Sequence, residues 1–297
     1  MPDDIKERVG FIGLGVMGQP MAANLLRAGF TVRGFDASAA ALAIFAERGG
    51  IVARSVVDAA TDIDILITML PNSDIVEDVL VGAGNAVGAM TLGTLVIDMS
   101  SSAPQRTVQL GAVLAVRGVR LIDAPVSGLA VRAIDGTLAI MAGGAKTDIE
   151  RARPVLSVLG RAIVETGPLG SGHAMKALNN YVSASGFVAA CRALIVGETF
   201  GLDPAVMVDV LNLSSGRNNS TETKIKPQVL SGAFGSGFSL ALMAKDNRTA
   251  ADLARGLGLE AEEIQASAAL WERASEALGR GADHTEIYKF LRAQPKT

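Results

Sequence analysis

Lys176, Asn179 and Asn180 stand at i, i+3 and i+4 in the stretch GHAMKALNNYV, residues 172–182. On a helix all three share one face. A lysine in an apolar stretch must find a partner, lose its charge or reach out to water. Asparagines inside a helix lower its propensity, because their amides compete for the backbone. An amine beside two amides makes a polar socket for an oxygen-rich ligand. The ammonium can deliver a proton, and the amides can orient a hydroxyl or carbonyl oxygen. Hydrogen bonding between packed helices is the simpler use of the same residues. Lys245 and Asp246 repeat the theme, interrupting the apolar pattern of FSLALMAKDNRTA at 238–250. Lys245 could reach across a cleft while Asp246 holds it, or the two could form a plain interhelical ion pair.

A second constellation lies near the start of the chain. In VGFIGLGVMGQPMAANLLRAG, residues 9–29, Gly13, Gly15 and Gly18 give G-x-G-x-x-G between a short apolar run and a helical pattern. The first glycine permits a tight turn, the second lets a pyrophosphate approach the backbone, and the third lets the helix lie close to the sheet. The unpaired N–H groups of the helix start then face the phosphates, and Leu14, Val16 and Met17 join the three glycines as cofactor-binding candidates. Asp36 follows 23 residues after Gly13, at the end of the strand-like run TVRGFD. A carboxylate there accepts hydrogen bonds from ribose hydroxyls and repels a 2′-phosphate. No base follows in FDASAAAL, and Arg33 falls on the opposite side of the strand. These residues point to NAD rather than NADP.

Other chemistries are poorly supported. The sequence has no H-x-x-x-H, no cysteine pair and no tight Asp/His cluster, so no metal is expected. It has no G-x-S-x-G for a serine hydrolase. His284, between Asp283 and Thr285, reads as a surface or helix-start residue. His173 has no aspartate partner nearby in sequence and reads as structural or peripheral. Cys191 is the one cysteine and reads as packing inside a helix.

The elements that must position these groups alternate. Apolar runs at 9–12, 31–36, 64–70, 94–100 and 119–126 are separated by helical stretches, among them 17–28, 37–47 and 73–80. Continuous apolar strands alternating with helices indicate a parallel sheet covered on both faces. Extra edge strands are expected at 137–144 and 161–167, around a helix near 148–158. From His173 to Phe200 almost nothing breaks a helix, and roughly 28 residues make a spine about 40 Å long. Helical segments follow at 204–212, 222–231, about 238–257, 260–278 and 284–292. The expected division is therefore a dinucleotide-binding domain over 1–168 and an all-helical domain over 169–297. Apolar residues on several sides of the long helix, including Phe187, Val188, Leu194, Ile195 and Val196, suit burial by neighbouring helices and by another subunit, as a homodimer or homotetramer.

The chain of 297 residues is 49% hydrophobic with a formal charge of -3. No basic block stands out, so nucleic acid is not an expected partner. The start MPDDIKERVGFIG lacks the features of a secretion signal. No run reaches the roughly 18 apolar residues of a membrane span. A soluble, cytoplasmic protein without a membrane partner is expected.

Taken in order, GFIGLGVMGQPMAANLLRAG, ITMLPNS, IDMSS, DAPVSG, GSGHAMKALNN and LMAKD resemble the β-hydroxyacid dehydrogenase family, from about residue 8 to 292. Its members include 3-hydroxyisobutyrate dehydrogenases and tartronate semialdehyde reductases. The resemblance implies a Rossmann-type, doubly wound, mainly parallel sheet followed by an all-helical domain, joined by a long interdomain helix, with substrate in the cleft between them. It implies Lys176 as general acid/base, and Asn180 with Asn179 as substrate holders. Ser127 and Gly128 would bind the substrate carboxylate. Ser101 would sit near the nicotinamide, Leu70 and Pro71 would line the cofactor, Lys245 would close over it and Asp246 would steady the closure.

The implied reaction is reversible NAD-dependent oxidation of a small 3-hydroxy acid to an oxo acid or semialdehyde. Alternatives are a reductase working mainly on a small acidic semialdehyde, an imine reductase, and a non-catalytic dinucleotide-binding module. The chain departs from the family pattern at Leu129, where a second glycine is usual after DAPVSG. Its N–H can bind an oxyanion if φ stays negative; a positive φ costs strain. Ser101 stands where threonine is frequent. The donor-rich stretch NLSSGRNNSTETKIKP at 212–227 carries Arg217, expected to face an anionic substrate.

Overall fold

The computed structural model describes residues 7–279 and 281–293. Two compact units divide between Lys176 and Ala177. The division falls inside one long helix, a few residues beyond the sequence-expected border at 168.

The first unit begins β1 (Arg8–Ile12), α1 (Gly18–Arg27), β2 (Thr31–Phe35), α2 (Ala39–Glu47), β3 (Ile51–Val52), α3 (Val56–Ala59), β4 (Ile65–Thr68) and α4 (Ser73–Leu80). It continues with β5 (Leu95–Asp98), α5 (Pro104–Val116), β6 (Arg120–Asp123), β7 (Val126–Ser127), α6 (Leu129–Asp135), β8 (Leu138–Gly143), α7 (Lys146–Leu159) and β9 (Gly160–Gly167). The strands form one sheet in the order β3-β2-β1-β4-β5-β6-β8-β7, with β9 beside β8. From β3 to β6 all neighbours are parallel; β8 runs antiparallel to β6 and β7. This is the mainly parallel sheet expected from the strand–helix alternation, in the Rossmann-type form that the family resemblance implies.

Side chains alternate between two buried faces. Val9, Phe11, Ile65, Ile67, Leu95 and Ile97 pack on one side, and Ile12, Leu66, Val96 and Leu121 on the other. Burying each such side chain contributes about 1.5–3 kcal/mol. The strands also end in step: Ile12 pairs with Phe35 and Thr68, Thr68 with Asp98, and Asp98 with Asp123. Their carboxyl ends therefore form one edge carrying Gly13, Asp36, Leu70, Ser100 and Ser101. The strand order reverses at β1, and such a switch point is where open α/β sheets take ligands.

The long helix α8 (Ser171–Phe200) carries 30 residues, close to its expected extent. One window of it has the length and mean hydropathy, 1.2, of a membrane span. The expectation that no segment reaches that level is corrected here. Its apolarity has a local use: Ala184, Phe187, Cys191 and Leu194 pack with Val208, Ile225, Trp271 and Ile287 as the second unit's core.

That second unit adds α9 (Pro204–Leu213), α10 (Asn219–Thr223), a π-helical turn over Ile225–Leu230, α11 (Leu240–Gly256), α12 (Glu262–Leu278), a 3₁₀ turn over His284–Glu286 and α13 (Ile287–Arg292). The single helix expected over 222–231 is broken. Pro227 lies in the π turn, and its ring and missing N–H disfavour a continuous α ladder. His284 is not a surface residue. It starts the 3₁₀ turn but is only 2% exposed, against Phe187 and Phe238. Burial, with the nearby Lys224 charge, pushes its pKa down to about 4.

Candidate active site

The glycine turn has the shape a dinucleotide needs. Gly13 has φ +99°, and a Cβ there would strike the Met69 carbonyl; a Cβ on Gly18 would strike the Gly13 carbonyl. At Gly15 nothing lies within 4 Å of the added carbon. Two glycines are thus needed for chain packing, and the middle one leaves open space in front of the backbone. Leu14 is buried while Val16 is 77% exposed, so the loop tip faces outward. Met17 precedes α1 as its N-cap without a side-chain hydrogen bond. This cradle fits a pyrophosphate.

Asp36 is fixed against the same loop. Its Oδ2 accepts from Leu14 N at 2.7 Å and its Oδ1 from Ser38 N at 2.8 Å. Arg33 turns away and pairs with Asp58, Nη1 to Oδ1 2.8 Å. Further along the edge, Leu70 N donates to Ser100 Oγ at 2.9 Å, between exposed Pro71 and half-buried Ser101.

Lys176 lies in the second turn of α8, and its Nζ donates to Val126 O at 2.8 Å. The amine is therefore held beside Ser127. Gly128 has φ +144° and Leu129 has φ +60°. The condition that Leu129 keep a negative φ is not met. Leu129 starts α6 in the left-handed region with a 41% exposed side chain. A leucine held there costs about 1–3 kcal/mol.

Within the second unit, Asn179, Asn180, Asp246 and Lys245 form one polar chain. Asn179 Nδ2 donates to Asn180 Oδ1 at 3.1 Å, and Asn180 Nδ2 to Asp246 Oδ2 at 2.5 Å. Lys245 Nζ lies 3.2 Å from Asp246 Oδ1. Asp246 is 4% exposed, so it acts as a buried bracket for both. Arg217 stands apart from this chain: its side chain is 64% exposed, and its Nε lies 3.6 Å from Glu222 Oε1.

Sequence reading missed a buried group. His173 is 1% exposed and lies between Asp98 and Asp123, which are 75 and 50 residues away. The available signal was an aspartate ending each of two successive apolar runs, IDMSS and LIDAP. Among the described residues no group of three or more His, Cys, Asp or Glu side chains is arranged to hold a metal.

A doubly wound sheet with a glycine turn after its first strand and a carboxylate ending its second is the architecture of a dinucleotide-binding domain. Residues 8–167 match the family model for the NAD binding domain of 6-phosphogluconate dehydrogenase. Residues 170–291 match the model described as NAD-binding of NADP-dependent 3-hydroxyisobutyrate dehydrogenase. A 2-(hydroxymethyl)glutarate dehydrogenase from Eubacterium barkeri is 40% identical over 254 residues, 86% of this chain and 82% of the relative. A 3-sulfolactaldehyde reductase from Escherichia coli strain K12 is 36% identical over 273 residues, 92% of this chain and 91% of that one. The solved Mycobacterium tuberculosis 3-hydroxyisobutyrate dehydrogenase with L-serine superposes with a TM-score of 0.89 at 33% identity, covering 97% and 99% of the two chains. The chain belongs to the 3-hydroxyisobutyrate dehydrogenase-like family of NAD-binding oxidoreductases.

Proposed function

We propose that this protein catalyses the reversible NAD-dependent oxidation of a small 3-hydroxy acid to the corresponding oxo acid or semialdehyde, with Lys176 as general acid/base. The observation that carries this reading is the Lys176 amine, fixed 2.8 Å from Val126 O next to Ser127. The bond to that carbonyl holds the amine beside Ser127, where it is placed to exchange a proton with a substrate oxygen. In the oxidising direction the neutral amine takes the hydroxyl proton; in the reducing direction the ammonium returns it. Bound nicotinamide supplies the hydride acceptor or donor.

Ser127 offers its hydroxyl, and the Ser127–Gly128 backbone its N–H groups, to the substrate carboxylate. Asn179 and Asn180 are assigned to the substrate hydroxyl, with Asp246 fixing the Asn180 amide and the Lys245 amine. The reading keeps Gly13, Gly15 and Gly18 for the pyrophosphate, and Leu70, Pro71, Ser101 and Lys245 around the cofactor. Arg217 is already paired with Glu222, which leaves it a weaker candidate for the substrate's far end.

NAD is preferred in this proposal because Asp36 is fixed at the ribose position and Arg33 is engaged by Asp58. The relatives' printed substrates support a small anion bearing a hydroxymethyl or aldehyde carbon. A homodimer or homotetramer is supported by Val182, Val196 and Phe200, which α8 leaves 66%, 70% and 84% exposed. The test is turnover of a panel of small 3-hydroxy acids and acidic semialdehydes with NAD(H) and NADP(H). Turnover of at least one acid–semialdehyde pair with NAD(H) supports the reading; none with either cofactor refutes it.

A further inference from the structure

Two carboxylates and an imidazole are buried together at the carboxyl edge of the sheet. Asp98 ends β5 and Asp123 ends β6, directly paired in register, at 1% and 0% exposure. Burying adjacent carboxylates is costly unless each is richly hydrogen-bonded. Asp98 accepts from Thr68 Oγ1 at 2.9 Å, Ser100 N at 3.1 Å and Ser102 Oγ at 2.8 Å. Asp123 accepts from Gly170 N and His173 N, both at 2.7 Å. Burial raises the Asp123 pKa, and its contacts with His173 and the Gly170 N–H oppose that rise.

The His173 ring fills the gap between them. Its Nε2 lies 3.7 Å from Asp98 Oδ2 and its Nδ1 3.7 Å from Asp123 Oδ2. Nε2 also lies 3.1 Å from Ser100 O, which can only accept, so Nε2 carries a hydrogen. Nδ1 meets Thr107 Oγ1 of α5 at 2.8 Å. Ser100 in turn holds Leu70 N. One imidazole therefore joins the loop after β5, the end of β6, α5 and the first turn of α8. Lys176 follows three residues later on that helix.

We propose that His173 is a positioning residue for the reaction. Asp123 fixes the start of α8 through two backbone N–H groups, and the His173 ring locks that turn to the Ser100–Ser101 loop. A rigid helix then sets the Lys176 amine at Val126 O, beside the loop assigned to the nicotinamide end. The inference rests on the role proposed for Lys176. Neither the Gly-rich turn nor the polar chain of the second unit performs this registration.

The test compares His173→Ala, His173→Gln and Thr107→Val with Leu156→Ala, a core change in the same unit away from the site. Four quantities are measured on the full chain: kcat, KM for the hydroxy acid, Kd for the dinucleotide, and the pH profile of kcat. A small misplacement of the general base costs as much as about 100-fold, so H173A is expected to lose about 10- to 100-fold in kcat. Its dinucleotide Kd should stay within about threefold, because the cradle does not use His173. The limb of the pH profile that reports Lys176 should move. H173Q, which can still donate to Ser100 O, should recover most of the loss, and L156A should keep kcat when matched for thermal midpoint. If H173A does not fold, H173Q and T107V decide. T107V should lower kcat by about 3- to 10-fold with a moved limb, while H173Q remains near wild type. The proposal is overturned if H173A keeps kcat, if L156A loses as much, if H173Q is no better than H173A, or if T107V leaves the profile unmoved. Loss of turnover in K176A together with unchanged H173A would overturn this inference alone; full turnover in K176A would remove the reading beneath it.

Discussion

The backbone N–H of Leu14 donates to Asp36 Oδ2 at 2.7 Å. The residue that would select the ribose is thus tied to the loop that would hold the phosphates. Replacing Asp36 by alanine removes a charged acceptor, and such hydrogen bonds contribute about 1.5–3 kcal/mol. KM for NAD should rise by about 10- to 100-fold, while KM for NADP changes less or falls. Steady-state kinetics with both cofactors check this; an unchanged ratio of the two KM values would contradict it.

Leu129 is held at φ +60° where a glycine would be free of strain. Leu129→Gly relieves about 1–3 kcal/mol of strain. It gives back about 0.5–1 kcal/mol in unfolded-chain entropy. Urea unfolding should show the variant at least as stable as the parent. The range of accepted acids should also change, because the exposed side chain is lost. A variant that is less stable and kinetically identical would show that the leucine serves packing alone.

His284 makes the fold acid-sensitive. Burial lowers its pKa from the usual 6.5 to about 4, so the folded state resists protonation more than the unfolded state does. Its stabilising contribution is complete above pH 6.5 and is lost as pH falls toward 4. The loss amounts to about 3 kcal/mol. Unfolding midpoints measured from pH 7 to pH 4 should fall steadily in the parent. His284→Gln should flatten that dependence; an equally steep fall in the variant would assign the sensitivity elsewhere.

Much of the dinucleotide cradle was legible because its causes are local. Gly13, Gly15 and Gly18 follow one strand and open one helix, and Asp36 ends the next strand. Each rule acts over a few residues. The long helix was legible for the same reason, since nothing between His173 and Phe200 stops it. The antiparallel course of β8 was not legible, because an apolar run carries no sign of direction. Nor was the π turn around Pro227, which was hidden inside a helical pattern. The burial of His284 depends on Phe187, 97 residues earlier in the chain. His173 depends on Asp98 and Asp123, which meet only when β5 and β6 pair. Leu129 stood out as a departure from a family pattern, but its positive φ follows from how Gly128 leads into α6, which no local rule encodes.

The most direct test is the turnover of Lys176→Ala with a substrate of the parent enzyme, measured alongside dinucleotide binding. A drop in kcat of about 10²- to 10⁴-fold with the dinucleotide Kd nearly unchanged is expected, the usual cost of a lost general acid/base. Turnover close to that of the parent protein would contradict the assignment of Lys176 as the group that moves the proton.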